Sequence, residues 1–232
     1  MLGLLCWQDR GTVRVERRSI AGLDVACALV AGDGVWKKRR LARAAALLRR
    51  HGVRRMLPVL DFEVKMEGLP EIDPMPLYRA MAAEFVLQRM KLRHIAPERA
   101  TVVLRGDYPD GDLTAAARRL CPFVRQVRVE TGRGAEGLQK SLYRQFGAAV
   151  DTGRNGADTV FVRFSGEAEG EELVFSPGSE ERAGLTLDVP GLVLPARLVR
   201  PAAVCALWQA GLVGLDRVQV APLSRKNVLD IR

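Results

Sequence analysis

Residues 130–151 read ETGRGAEGLQKSLYRQFGAAVD. Gly132, Gly134 and Gly137 fall at the spacing GxGxxG, and Asp151 follows the first of them by 19 residues. Glycines at that spacing carry a chain from a strand through a tight turn into a helix. The flanks agree: a strand is predicted over 124–130, and a helix over 136–146 stopped by Gly147.

Working outward, the same strand-then-helix unit recurs. Upstream come a strand at 25–30, a helix at 36–50 ending at Gly52, and a strand at 55–60. Next are a long helix at 75–93 entered through Asp73-Pro74, a strand at 101–105, and a helix at 112–120 capped by Asp112. Downstream, short strands fall at 148–150 and 159–164. Such repetition predicts an α/β protein with a Rossmann-like, doubly wound and mainly parallel sheet. Two strand-like runs at 2–7 and 12–17, joined through Asp9-Arg10-Gly11, are expected to pair as an N-terminal β-hairpin.

After residue 166 the character changes. Charged, glycine-containing loops at 166–170 and 178–182 separate short strand-like pieces at 173–175, 185–189 and 192–194, punctuated by Pro177, Pro190 and Pro195. An apolar helix at 201–212 and a strand at 216–220 follow. The expected organisation is a main domain over 1–165 and a small β-rich C-terminal extension over 166–232 packed on it. The extension is too short to bury a core of its own without disulfides.

Composition is that of an ordinary globular chain: 232 residues, 48% apolar and 27% charged. The longest uncharged run, Pro201–Leu215, is 15 residues, short of a membrane span. The apolar start at Leu2–Trp7 has no basic region before it and is short for a signal peptide. A soluble cytoplasmic protein is therefore expected. Cys6, Cys27, Cys121 and Cys205 are scattered, with no CxxC and no histidines at ligand spacing, so they read as small core residues and no metal is predicted.

The net charge of +9 is unevenly placed. Residues 1–60 hold 13 Lys/Arg against 4 Asp/Glu, and the rest of the chain balances at 23 of each. That asymmetry points to an anionic partner, a phosphorylated small molecule or a nucleic acid.

Two strand–helix junctions compete for a ligand. Over about 25 residues the quoted stretch resembles a Rossmann dinucleotide-binding unit, which would give Gly132, Gly134, Gly137 and Asp151 to NAD(P) or FAD in an oxidoreductase. Three features oppose it. The preceding strand, VRQVRVET, alternates apolar and polar residues like a half-exposed edge strand, where a central parallel strand is apolar on both faces. Glu130 and Thr131 stand directly before Gly132, and Asp151 enters a TGRNG turn.

The second junction is Val30-Ala31-Gly32-Asp33-Gly34-Val35-Trp36-Lys37-Lys38-Arg39-Arg40. It follows the more apolar strand and puts four cations in the first turn of a helix. Cations there cost a few tenths to about 1 kcal/mol each relative to acids. A local rule broken in this way marks a functional demand, and a helix start rich in Lys and Arg favours bound anions. Lys38, Arg39, Arg43, Arg49 and Arg50 form one face, and Leu41, Ala44, Ala45 and Leu48 the core-directed stripe. The bland reading is a solvated helix face. With Trp36 the only aromatic in the run, a phosphate-bearing small ligand is favoured over nucleic acid.

The remaining candidates read as structure. Asp107, Asp110 and Asp112 between a strand and a helix are turn formers and a cap, with cation binding as the alternative; Asp61 and Glu63 share that ambiguity. His51 and His94 sit at helix ends, and Ser165 is a loop serine without a GxSxG context. Whether the protein is an enzyme, and which cofactor it would use, is left open by the sequence.

Overall fold

The run Val25–Ala31 is buried on both faces, and a strand without a polar face has to lie inside a sheet. The computed structural model describes residues 1–31, 36–60, 66–147, 156–166, 169–175 and 184–223. In it, β3 (Leu23–Ala31) lies between β2 (Arg14–Ile20), antiparallel to it, and β1 (Leu2–Gln8), parallel to it. β4 (Arg55–Met56) continues in parallel on the far side of β1, giving the order β2-β3-β1-β4.

The N-terminal hairpin is thus made by β2 and β3, and the pairing expected between 2–7 and 12–17 is not formed. Ala21 and Gly22 turn it with φ of 50° and 85°. Two consecutive positive φ values give a turn whose twist matches the strands it joins. Polar β2 takes the edge and apolar β1 the interior.

α1 (Lys37–Arg50) buries Leu41, Ala44, Ala45 and Leu48 as predicted, against the sheet face carrying Leu5, Ala26, Ala28 and Val30. It closes at Gly52, left-handed at φ 76°, whose N–H reaches the Arg49 carbonyl at 2.9 Å.

The chain divides into two compact units, Met1–Pro74 with Asp188–Val218, and Met75–Leu187 with Gln219–Leu223. The first also contains α6 (Arg200–Gln209), buried from Ala202 to Leu207. In the second, the expected helix at 75–93 is two: α2 (Met75–Ala80) and α3 (Ala82–Leu92). The Met81 N–H still reaches the Leu77 carbonyl at 3.0 Å, so the break is a kink; nothing in the local sequence explains it.

Four parallel strands follow: β5 (Thr101–Gly106), β6 (Gln126–Thr131), β7 (Thr159–Arg163) and β8 (Leu173–Val174), in the order β6-β5-β7-β8. α4 (Gly111–Leu120) joins β5 to β6, and α5 (Ala135–Phe146) follows β6. β6 is the edge strand its alternating sequence predicts. Val102, Leu104, Val127, Val129, Val160 and Val162 share one buried face. The opposite face ends in Arg105, Glu130 and Arg163. α5 stops at Gly147, left-handed at φ 66°.

Of the β-rich C-terminal region, β8 joins this sheet, while β9 (Leu185–Asp188) and β10 (Gln219–Pro222) pair with each other. Residues 192–194 do not form the expected strand, and 215–217 form a single tight helical turn. The result is a mixed α/β protein whose two larger sheets are mainly parallel and flanked by helices. Among the described residues no helix is long and apolar enough to cross a membrane.

Candidate functional site

The basic junction begins where β3 ends. Gly32 and Gly34 lie outside the described residues, as do Asp61, Glu63 and Asp151. Lys37, Lys38, Arg39 and Arg40 form the first turn of α1, the first three exposed and Arg40 half-buried. No acidic residue stands in that turn, and the N-cap residue, Trp36, offers no side-chain cap. The N–H dipoles and four cations therefore reinforce one another.

Three of these cations contact aromatic rings or backbone. Lys37 Nζ lies 5.2 Å from the centre of the Trp7 ring, and the Arg39 guanidinium 4.7 Å from that of Trp36. Arg40 Nη1 donates to the Ala31 carbonyl at 3.3 Å, tying the helix start to the strand end. Among the described residues, Lys37, Lys38 and Arg39 meet no carboxylate. Trp36 is 55% exposed beside them.

Trp7 is the residue the sequence reading missed. It sits on β1 opposite Val30 of β3, so parallel pairing brings it to the edge from which α1 departs. Its place 30 residues before Lys37 gives no local signal; only the pairing of β1 with β3 reveals it.

The glycine turn is differently built. Gly134, left-handed at φ 77°, is the N-cap of α5, and a Cβ there would lie 3.1 Å from the Pro109 ring. A Cβ on Gly132 would come within 3.3 Å of the Asp107 carbonyl oxygen. The space beside these two glycines is filled by the loop after β5. Gly137 has nothing within 4 Å of its missing Cβ. It lines an open depression on α5 with Lys140, Ser141 and Arg144, away from the helix–strand contact a dinucleotide fingerprint asks of its third glycine.

The C-terminal ends of β5 and β7 carry a second charged cluster, all of it matched. Glu172, its side chain 1% exposed, accepts from Arg105 Nη1 at 2.5 Å and from Arg163 Nε at 2.6 Å. Arg105 also reaches Glu130 at 2.9 Å, and Arg163 reaches Glu169 at 3.1 Å. Burial opposes the Glu172 charge, but hydrogen bonds from Arg163, the Glu169 N–H and Arg105 outweigh it and hold its carboxyl below the usual range.

Beside that cluster, Asp110 rather than Asp112 caps α4, accepting from the Leu113 N–H at 2.8 Å. Both aspartates also meet Arg79 at 3.4 Å, so they serve a cap and an ion pair. The Asp107 N–H donates to Ser165 Oγ at 2.8 Å, joining the loops after β5 and β7. His51 caps the C-terminus of α1, and His94 follows α3 at φ 53°. Among the described residues no three His, Cys, Asp or Glu side chains converge as a metal site.

No protein-family model and no curated protein matches this chain.

Proposed function

We propose that the protein binds a phosphate-bearing small ligand where β3 runs into α1. Lys37, Lys38, Arg39 and Arg40 supply the charge, and Gly32 and Gly34 belong to the proposed site on sequence grounds. The supporting observation is a contrast within the molecule. Arg79, Arg105 and Arg163 are each matched to carboxylates, while Lys37 and Arg39 lie over indoles and, among the described residues, Lys37, Lys38 and Arg39 meet no carboxylate. Unmatched cations around a bare helix start are what an anion would complete. The named residues provide charge and shape, not a nucleophile, so the reading is a binding or regulatory role.

The fold is read, in the same proposal, as Rossmann-like. The order β6-β5-β7-β8 reverses direction at β5, because the chain goes from β5 to one neighbour and then across to the other. Right-handed crossovers at such a reversal would put α4 and α5 on opposite faces, the doubly wound arrangement. All four cysteines are free thiols, which supports a reducing, cytoplasmic setting.

The test is a thermal-shift panel of inorganic phosphate, pyrophosphate, sugar phosphates and nucleoside phosphates. A stabilising ligand should lose about tenfold or more in affinity in Lys37→Ala/Lys38→Ala, the loss expected for removing charge-assisted contacts. Equal shifts in wild type and variant would sink the proposal.

A further inference from the structure

The sheet face turned away from α1 carries two neighbouring cysteines. In the parallel pairing of β1 with β3, Leu4 stands opposite Cys27 and Cys6 opposite Leu29, so the cysteines share a face and sit diagonally. Cys27 is fully buried and Cys6 half-buried, and their side chains are hydrogen-bonded to each other. The neighbouring antiparallel strand puts Glu16 opposite Cys27, with Arg14 and Arg18 two residues to either side. Of the nearby cations, Arg18 and Arg197 act on Cys6.

That setting separates the two sulfurs chemically. The hydrogen bond from Cys27 favours a charged Cys6; burial opposes it, Arg18 and Arg197 reinforce it, and Glu16 opposes it. Together they bring the Cys6 thiol down to about 7. The same hydrogen bond, burial and the adjacent Cys6 charge push the Cys27 thiol upward. Cys6 is therefore the thiolate, with access to water, and Cys27 the buried thiol donating to it.

We propose that Cys6 and Cys27 form a peroxide-reactive dithiol, with Cys6 the attacking thiolate and Cys27 its resolving partner. Cys6 Sγ attacks one peroxide oxygen and the O–O bond breaks. This leaves a Cys6 sulfenic acid and a hydroxide that takes a proton to become water. Cys27 Sγ then attacks the Cys6 sulfur while its own proton leaves with the departing oxygen as a second water. The dithiol is oxidised by two electrons to a disulfide, and the peroxide is reduced to two waters. The two cysteines are diagonal neighbours on one face of paired strands, so the second step needs side-chain rotation on two fixed strands.

The experiment treats the full chain with one equivalent of hydrogen peroxide and maps the cysteines by peptide mass spectrometry. The expected product is an intramolecular Cys6–Cys27 bond, with Cys121 and Cys205 still alkylatable. Cys27→Ser should accumulate a dimedone-trapped sulfenic acid on Cys6, and Cys6→Ser should lose the reaction altogether. Alkylation of Cys6 by iodoacetamide should be half-maximal near pH 7, against about 8.5 for an ordinary thiol. A Cys6 that titrates like an ordinary thiol, or a wild-type chain that keeps both thiols after peroxide, overturns the proposal. Both of those measurements use wild type, so they stand even if a serine variant does not fold.

Discussion

Replacing Glu172 by alanine removes the carboxylate that joins β5 to β7. Glu172 accepts from two guanidiniums, at 2.5 and 2.6 Å, and from the Glu169 N–H at 3.2 Å, with its side chain 1% exposed. Removing one partner from a buried ionic group costs about 3–5 kcal/mol, because the remaining charges stay behind without it. Here Arg105 keeps Glu130 at 2.9 Å and Arg163 keeps Glu169 at 3.1 Å, which puts the loss near the lower end, about 3 kcal/mol. For a chain of this size that is a fall in melting temperature of about 6–12 °C.

Native-state hydrogen exchange at the amides of β5 and β7 is the appropriate assay, since it reads the affected strands directly. Trp7, Trp36 and Trp208 all lie in the other unit, so tryptophan fluorescence is a poor reporter of this one. The effect should also depend on pH in a definite sense. The Glu172 carboxyl is held below its ordinary value of 4.5, so its contribution is complete above that pH and fades as pH falls through the lower folded-state value. The gap between wild type and variant should therefore narrow in acid. A loss below about 1 kcal/mol, or a gap that widens in acid, would refute the assignment of Glu172 as the tie between these strands.

Other expectations follow from the same geometry. Gly134→Ala should destabilise by about 1–2 kcal/mol, since it forces a left-handed alanine against the Pro109 ring, whereas Gly137→Ala should be neutral or stabilising by up to about 1 kcal/mol in urea unfolding. NAD, NADP and FAD at millimolar concentration should give no calorimetric heat, and clear binding by any of them would reinstate the glycine turn as a cofactor site. Asp110→Ala should cost about 1–2 kcal/mol, for it removes both the α4 cap and a partner of Arg79; the same change at Asp112 should cost less. Binding of a phosphorylated ligand should weaken only modestly between low and moderate salt. A steep log–log fall would instead indicate many phosphate contacts and a nucleic acid.

What was legible in the sequence is what local physics determines. The stripe Leu41, Ala44, Ala45 and Leu48, the stop glycines Gly52 and Gly147, and the edge character of VRQVRVET are each written within a few neighbouring residues. Pairing is not local in that way. Polar β2 was free to pair with either neighbour, and the Ala21–Gly22 turn decided for β3. Asp110 and Asp112 are chemically equal as caps, and a backbone conformation separates them. The bond between Arg105 and Glu172 spans 67 residues, and the stacking of Lys37 on Trp7 depends on a parallel register. Neither leaves a trace in composition or spacing.

The most direct test of the binding proposal is a two-dimensional amide NMR titration with the best phosphorylated ligand from the thermal panel. The account predicts shift changes concentrated at the amides of Lys37–Arg40 and the indole N–H groups of Trp36 and Trp7. Changes centred on Gly132–Gly137, or none at the start of α1 with saturating ligand, would contradict it.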